Sequence, residues 1–149
     1  MRETVLCYIF KDNKCLMLLR NKKENDYNKD KWLGLGGKIE DGETSNMAVV
    51  REVYEESGLR LLSFRKRGII KFINDDYKEI MHLYESYEFE GDLIECDEGE
   101  LHWIFVDDIL NLNLWDGDRV FLSKLLNTKD DINLTLLYEN DLLKDVISN

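Results

Sequence analysis

Gly37-Lys-Ile-Glu-Asp-Gly-Glu43-Thr-Ser-Asn-Met-Ala-Val-Val-Arg51-Glu52-Val-Tyr-Glu55-Glu56-Ser-Gly58-Leu59 is the stretch on which the reading of this chain turns. Gly34, Gly36, Gly37 and Gly42 make a loop that can turn tightly and let other backbone approach. Thr44 or Ser45 can cap a helix that runs to about Ser57 and stops at Gly58, a suitable residue just past a helix end. At roughly 100° per residue, Glu52, Glu55 and Glu56 share an arc of about 100°. Met47, Val50 and Tyr54 fall on the opposite side. The expectation is a helix that packs by those three and offers its carboxylates in front. Crowded carboxylates repel, and oxygen ligands of this kind suit Mg²⁺ or Mn²⁺ completed by water and phosphate.

The spacing G-x5-E-x7-R-E-V-x-E-E-x-G-L fixes nine positions, and at each of them the stretch resembles the Nudix box. The resemblance implies a hydrolase that cleaves a nucleoside diphosphate linked to another group, by attack of water at phosphorus. It implies Glu52, Glu55 and Glu56 as divalent-metal ligands, with the Gly37 carbonyl as a further one. Glu43 and Arg51 would be the ion pair that holds loop against helix. It also implies the Nudix fold, an α/β arrangement with a mixed, curved sheet sandwiched between helices.

Working outward, 149 residues make one domain with room for a core, and 44% hydrophobic content supports a folded chain. No apolar run is long enough to span a membrane, and Met1–Phe10 lacks the layout of a signal peptide. Cys7, Cys15 and Cys96 are odd in number and far apart, which reads as reduced, partly buried thiols in a cytoplasmic protein. A net charge of −11 argues against nucleic-acid polymers and anionic membranes as partners. A small nucleotide remains compatible, since metal ions screen its phosphates. Monomer and homodimer are both open.

Thr4–Phe10 and Lys14–Arg20 read as a hairpin around Asp12-Asn13, followed by a charged surface loop over Asn21–Lys31. Strands follow at Leu61–Asn74 and Glu79–Phe89, then Leu101–Val106, a helical turn at Asp107–Leu112 and a helix over Asp118–Asn127. A strand at Ile132–Tyr138 and a short one near Leu142–Ile147 end the chain. Strands with interspersed helices argue for an α/β sandwich rather than a doubly wound sheet.

Phosphate contacts are expected from Lys38, inside the box, and from one or more of Arg20, Lys22 and Lys23. Two further resemblances point to the branch of the family that cleanses the nucleotide pool. The acidic loop Asp97-Glu98 ahead of Trp103 is similar to one that carries a fourth carboxylate, making Glu98 the candidate and Glu100 the fallback. The segment Trp115-Asp-Gly-Asp118 resembles the W-x-D-D of oxidised-purine triphosphatases, in which indole stacks on a purine and carboxylate reads a ring N–H. Gly117 stands where those enzymes often carry the first aspartate, and Leu33 where they commonly have Asn. Trp32 and Phe72 are candidate pocket walls. Either Glu55 or Glu98 would assist deprotonation of the attacking water, while His82 and His102 are not required. The resemblance thus implies Mg²⁺-dependent hydrolysis of 8-oxo-dGTP to the monophosphate and pyrophosphate. Other nucleoside diphosphate derivatives are the alternative, and a non-catalytic nucleotide sensor a third reading. The lack of proline counts against the ADP-ribose and NADH branches.

Overall fold

The computed structural model describes residues 1–149. Its organising strand is β1 (Arg2–Lys11), buried from Thr4 to Phe10 because both of its faces are covered. Alternation divides it between two cores. Leu6, Tyr8 and Phe10 join one, and Val5, Cys7 and Ile9 join the other. Asp12 and Asn13 both take positive φ, 52° and 63°, as a tight two-residue hairpin requires, and turn the chain into β2 (Lys14–Leu19).

The edge of β1 is shared. Its Ile9–Lys11 end pairs with β2, and Thr4–Cys7 pairs antiparallel with β4 (Leu35–Lys38), after a short β3 (Trp32–Leu33). The glycine segment, expected as a loop, is therefore largely strand: a residue run of glycines carries no side-chain pattern by which to announce pairing. Helix α1 (Ser45–Ser57) follows, capped by the Thr44 hydroxyl accepting from the Met47 N–H and ended by Gly58 at φ 80°.

β5 (Arg60–Asn74) and β6 (Tyr77–Glu90) form a long antiparallel pair, and β6 lies parallel to β1. β7 (Glu100–Phe105) pairs with β2 and leads through a 3₁₀ segment (Val106–Asn111) to α2 (Asp116–Asn127), which starts two residues earlier than expected. β8 (Ile132–Glu139) runs parallel to β5, and β9 (Leu142–Ser148) returns along it. The result is a mixed sheet between two helical layers. Phe121, Leu122 and Leu125 of α2 close one core, and Ala48, Val49 and Val53 of α1 close the other.

The face by which α1 packs reverses the expectation. Met47 and Tyr54 are more than half exposed, and Val50 is only partly buried. Ala48, Val49, Val53 and Glu56 are buried instead. Glu52 and Glu56 thus point inward, along the side that meets β4, and the helix turns its larger apolar residues to solvent. Ala48, Val49 and Val53 share the arc of Glu52 and Glu56, so the helix packs by its carboxylate-bearing side. The three cysteines are free and buried, and no helix is long and apolar enough to cross a membrane.

Candidate active site

Arg51 organises the box. Its Nε donates to Glu43 at 2.6 Å, its Nη1 to Glu52 at 2.8 Å and to Glu55 at 3.2 Å, and its Nη2 to the Lys38 carbonyl at 3.1 Å. The guanidinium beside Glu43, with the Glu40 N–H, holds the Glu43 carboxyl down at about 2. Loop and helix are tied by one side chain. Glu52 keeps a raised pKa even so, because burial outweighs the arginine.

Glu56 is the innermost carboxylate of the box, 8% exposed, accepting from the Gly36 N–H at 2.7 Å. Glu98 approaches it from the loop before β7 and is its acidic neighbour from outside the helix. Burial first, and Glu98 second, push the Glu56 pKa well up. Two carboxylates in contact require a proton or a cation between them. Glu98 also lies 3.6 Å from Arg20. Glu100 turns away to Asn21 and His102. Glu98 is thus the residue of that loop that faces the box.

The divalent ion implied by the box can be tested against these residues. No three acidic, His or Cys side chains converge as a bound ion would require, since Arg51 occupies Glu52 and Glu55. The donor chemistry nonetheless fits a hard cation: carboxylate oxygens dominate, and buried Glu56 has no cationic side chain of its own. A Cβ at Gly37 would sit 2.5 Å from the Glu52 carboxylate, so only glycine leaves that group its place against the strand.

A cavity of about 480 Å³ opens from Glu56, Gly36 and Gly37 towards α2. Leu33, Phe72, Met81 and Trp115 supply its apolar lining, with Asp118 and Glu79 among its polar groups. Asp118 is 7% exposed, and no protein group donates to its carboxylate. Burial, reinforced by the charge on Glu79 and opposed by Lys31, raises its pKa to about 7.

Trp115 is not a bare platform. Tyr27 stacks on it with centroids 5.3 Å apart, Lys31 lies 4.9 Å from its ring centre, and its Nε1 donates to Asn28. Gly117 has a steric cause: its N–H donates to the Tyr138 hydroxyl at 2.6 Å, and a Cβ there would meet Leu136 and Tyr138 at 2.7 Å. The aspartate of the W-x-D-D pattern has no room beside β8.

Other expected contacts disperse. Arg20 lines the cavity but is bound bidentately by Asp26. Lys22 is turned to Glu95 and the Cys96 carbonyl, while Lys23 and Lys38 stay exposed outside the cavity wall. Trp32 packs at the core edge against His102 rather than in the cavity. Tyr27, Asn74 and Glu79 went unread in the sequence. Phe72 and Asn74, two apart on one strand, shared a face that alternation could have flagged; Glu79 depends on strand pairing that no local signal reveals.

Comparison with known proteins supplies the lineage of this arrangement. A family model described as the NUDIX domain matches residues 1–125. An oxidized purine nucleoside triphosphate hydrolase of Danio rerio is 34% identical over 114 residues, covering 75% of this chain and 73% of that protein. An 8-oxo-dGTP diphosphatase of Buchnera aphidicola subsp. Schizaphis graminum is 35% identical over 111 residues, covering 73% and 81%. The crystal structure of a MutT protein from Bacillus halodurans superposes with a TM-score of 0.89 at 24% identity, covering 99% of this chain and 97% of that one. That last likeness extends the shared fold through β8 and β9.

Proposed function

The chain belongs to the Nudix hydrolase family, whose members generally use divalent metal ions and act on small nucleotide substrates, and from that premise we propose that it hydrolyses oxidised purine nucleoside triphosphates, 8-oxo-dGTP foremost, to the monophosphate and pyrophosphate. The observation that carries this reading is the single cavity that joins the Glu56 end of the box to Asp118 and Trp115. A triphosphate chain and its base would then have places in one continuous space. The names and identities of the Danio rerio and Buchnera relatives support the same substrate class. Residues 1–149 would act as one domain: β8 pairs with β5, and Tyr138 packs against Phe72 and Trp115, which line the cavity.

Glu52, Glu55, Glu56, Glu98 and the Gly37 carbonyl would hold Mg²⁺, with Mn²⁺ as a substitute. The ion supplies charge neutralisation at the phosphate oxygens and a more acidic water. Arg51 keeps Glu52 and Glu55 in position through its four contacts. Water attacks phosphorus, its proton passes to Glu55 or Glu98, the phosphoanhydride bond breaks, and pyrophosphate leaves. Arg20 is the cavity cation nearest Glu98 and would meet phosphate oxygens on release from Asp26.

The test is hydrolysis of 8-oxo-dGTP, dGTP, the other nucleoside triphosphates, ADP-ribose and diadenosine polyphosphates with Mg²⁺, scored by kcat/KM and product identity. Preference for 8-oxo-dGTP with release of pyrophosphate is expected. Preference for another nucleotide would move the substrate, and tight nucleotide binding without turnover would make the protein a sensor.

A further inference from the structure

Two carboxylates enter the cavity from different elements, Asp118 from α2 and Glu79 from β6. Asp118 is more than nine-tenths buried and unpartnered. A carboxylate in that state is costly unless a ligand or a proton satisfies it. Glu79 is held in place: its Oε2 accepts from the Thr4 hydroxyl at 2.7 Å and its Oε1 from the Tyr77 hydroxyl at 2.5 Å. Strand register sets it beside Phe72 on β5 and Arg2 on β1, so it belongs to the cavity floor. Neither carboxylate has an ion-pair partner. Arg2 and Arg20 line the same space, yet Arg20 is paired to Asp26 and Glu98, and Arg2 to no acidic side chain.

An ionised carboxylate only accepts hydrogen bonds. A cavity with aromatic walls and two such groups is complementary to a flat ring that presents neighbouring N–H donors. The guanine edge offers a ring N–H and an exocyclic amino group side by side. Hypoxanthine lacks the amino group, and adenine and cytosine set an unprotonated ring nitrogen beside theirs.

We propose that Glu79 is a specificity-determining residue which, with Asp118, forms a two-carboxylate edge selecting bases of the 2-amino-6-oxopurine type, guanine and its 8-oxo form. The inference rests on the purine triphosphatase reading above and names the feature of the base that the pocket reads. Glu79 positions the donor-rich edge, Phe72 contacts the ring, and Asp118 meets a second donor. Thr4 and Tyr77 fix the Glu79 rotamer, which lowers the entropy lost on binding.

The test compares dGTP with dITP, which differ by the 2-amino group alone, in the wild type and in Glu79→Gln, Glu79→Ala and Tyr77→Phe. The Gln variant keeps size and an accepting oxygen but turns one acceptor into a donor. The wild type should prefer dGTP in kcat/KM by about ten- to a hundredfold, the worth of one charge-assisted hydrogen bond. Glu79→Gln and Glu79→Ala should shrink that ratio to within about threefold, with the loss falling on KM for dGTP. Tyr77→Phe should leave most of the preference. Binding of dGMP and dIMP in EDTA, followed calorimetrically, should show the same pattern without turnover. An unchanged ratio in both Glu79 variants would overturn the proposal, as would equal losses on both nucleotides, which would mark Glu79 as structural. A wild type that hydrolyses neither would bring down the triphosphatase reading itself, and this assignment with it.

Discussion

At one end of the cleft Glu43, Glu52 and Glu55 share one arginine, while Glu56 and Glu98 press against each other. At the other end Asp118 sits almost wholly buried with no partner. Both ends concentrate negative charge, but by different means. The phosphate end comes from a contiguous run of residues on one loop and one helix, plus Glu98, with Arg51 as its clasp. The proposed base end comes from β5, β6, α2 and the loop carrying Tyr27, and each contributes one to three side chains. On the proposed function, the difference teaches that reaction chemistry would be concentrated where spacing is strict, and selectivity assembled wherever the fold converges.

If the ends divide the work, damage should divide too. Glu56→Gln strikes the inner carboxylate pair and should lower kcat by about 10²- to 10³-fold, the scale of losing one preorganised electrostatic contact. Its melting temperature should hold or rise, since a repulsive contact is relieved and the amide oxygen can still accept from Gly36. Near-normal turnover in a preparation free of contaminating hydrolase would remove Glu56 from the centre.

Asp118→Asn probes the other end through pH. The Asp118 pKa rises from 3.8 to about 7 on folding. The folded protein therefore binds more protons than the unfolded chain across that window, and stability from this group falls as pH rises until the loss is complete above about 7. Relative to Asp118→Asn, the wild type should lose on the order of 2 kcal/mol between pH 5 and pH 8. Parallel urea-denaturation curves for both proteins at the two pH values would show instead that Asp118 is stabilised as an anion.

Gly117→Asp would restore the family-like residue at the base end. Contact with Tyr138 and Leu136 should cost about 1–3 kcal/mol, an overpacking penalty, and the cost should shrink when Gly117→Asp is measured in a Tyr138→Ala background. A Gly117→Asp protein as stable as wild type would mean that β8 yields readily.

The smallest effect is expected on the outer side of α1. Met47→Lys and Tyr54→Lys should each change stability by no more than about 0.5 kcal/mol, because both side chains already face solvent. A large loss in either would restore the packing face suggested by helical spacing.

That reversal marks where sequence reading stopped. The Arg51–Glu43 pair and the helix with its Thr44 and Gly58 ends could be argued from spacing and resemblance, and the structure contains both; Glu98 belongs to the proposal. Which side of α1 is buried could not: hydrophobicity favoured Met47 and Tyr54, but the helix packs by Ala48, Val49 and Val53 with the carboxylates between them. Periodicity ranks residues by polarity and is blind to the clearance of the partner surface. The base end was legible only as Leu33, Phe72, Trp115 and Asp118. Glu79 enters through the parallel pairing of β6 with β1, and Tyr138 through a strand twenty residues beyond Asp118. Lys22 and Lys23 were plausible phosphate ligands by charge alone, yet surface cations of this kind settle on nearby acids or in solvent.

The most direct test of the division is steady-state kinetics of Glu56→Gln and Asp118→Asn beside the wild type on 8-oxo-dGTP with Mg²⁺, followed by product-binding constants for each. The account predicts that Glu56→Gln collapses kcat while its affinity for the monophosphate survives. Asp118→Asn should raise KM at least about tenfold with kcat within a few-fold of wild type. Turnover retained in Glu56→Gln, or a collapse of kcat at unchanged KM in Asp118→Asn, would contradict it.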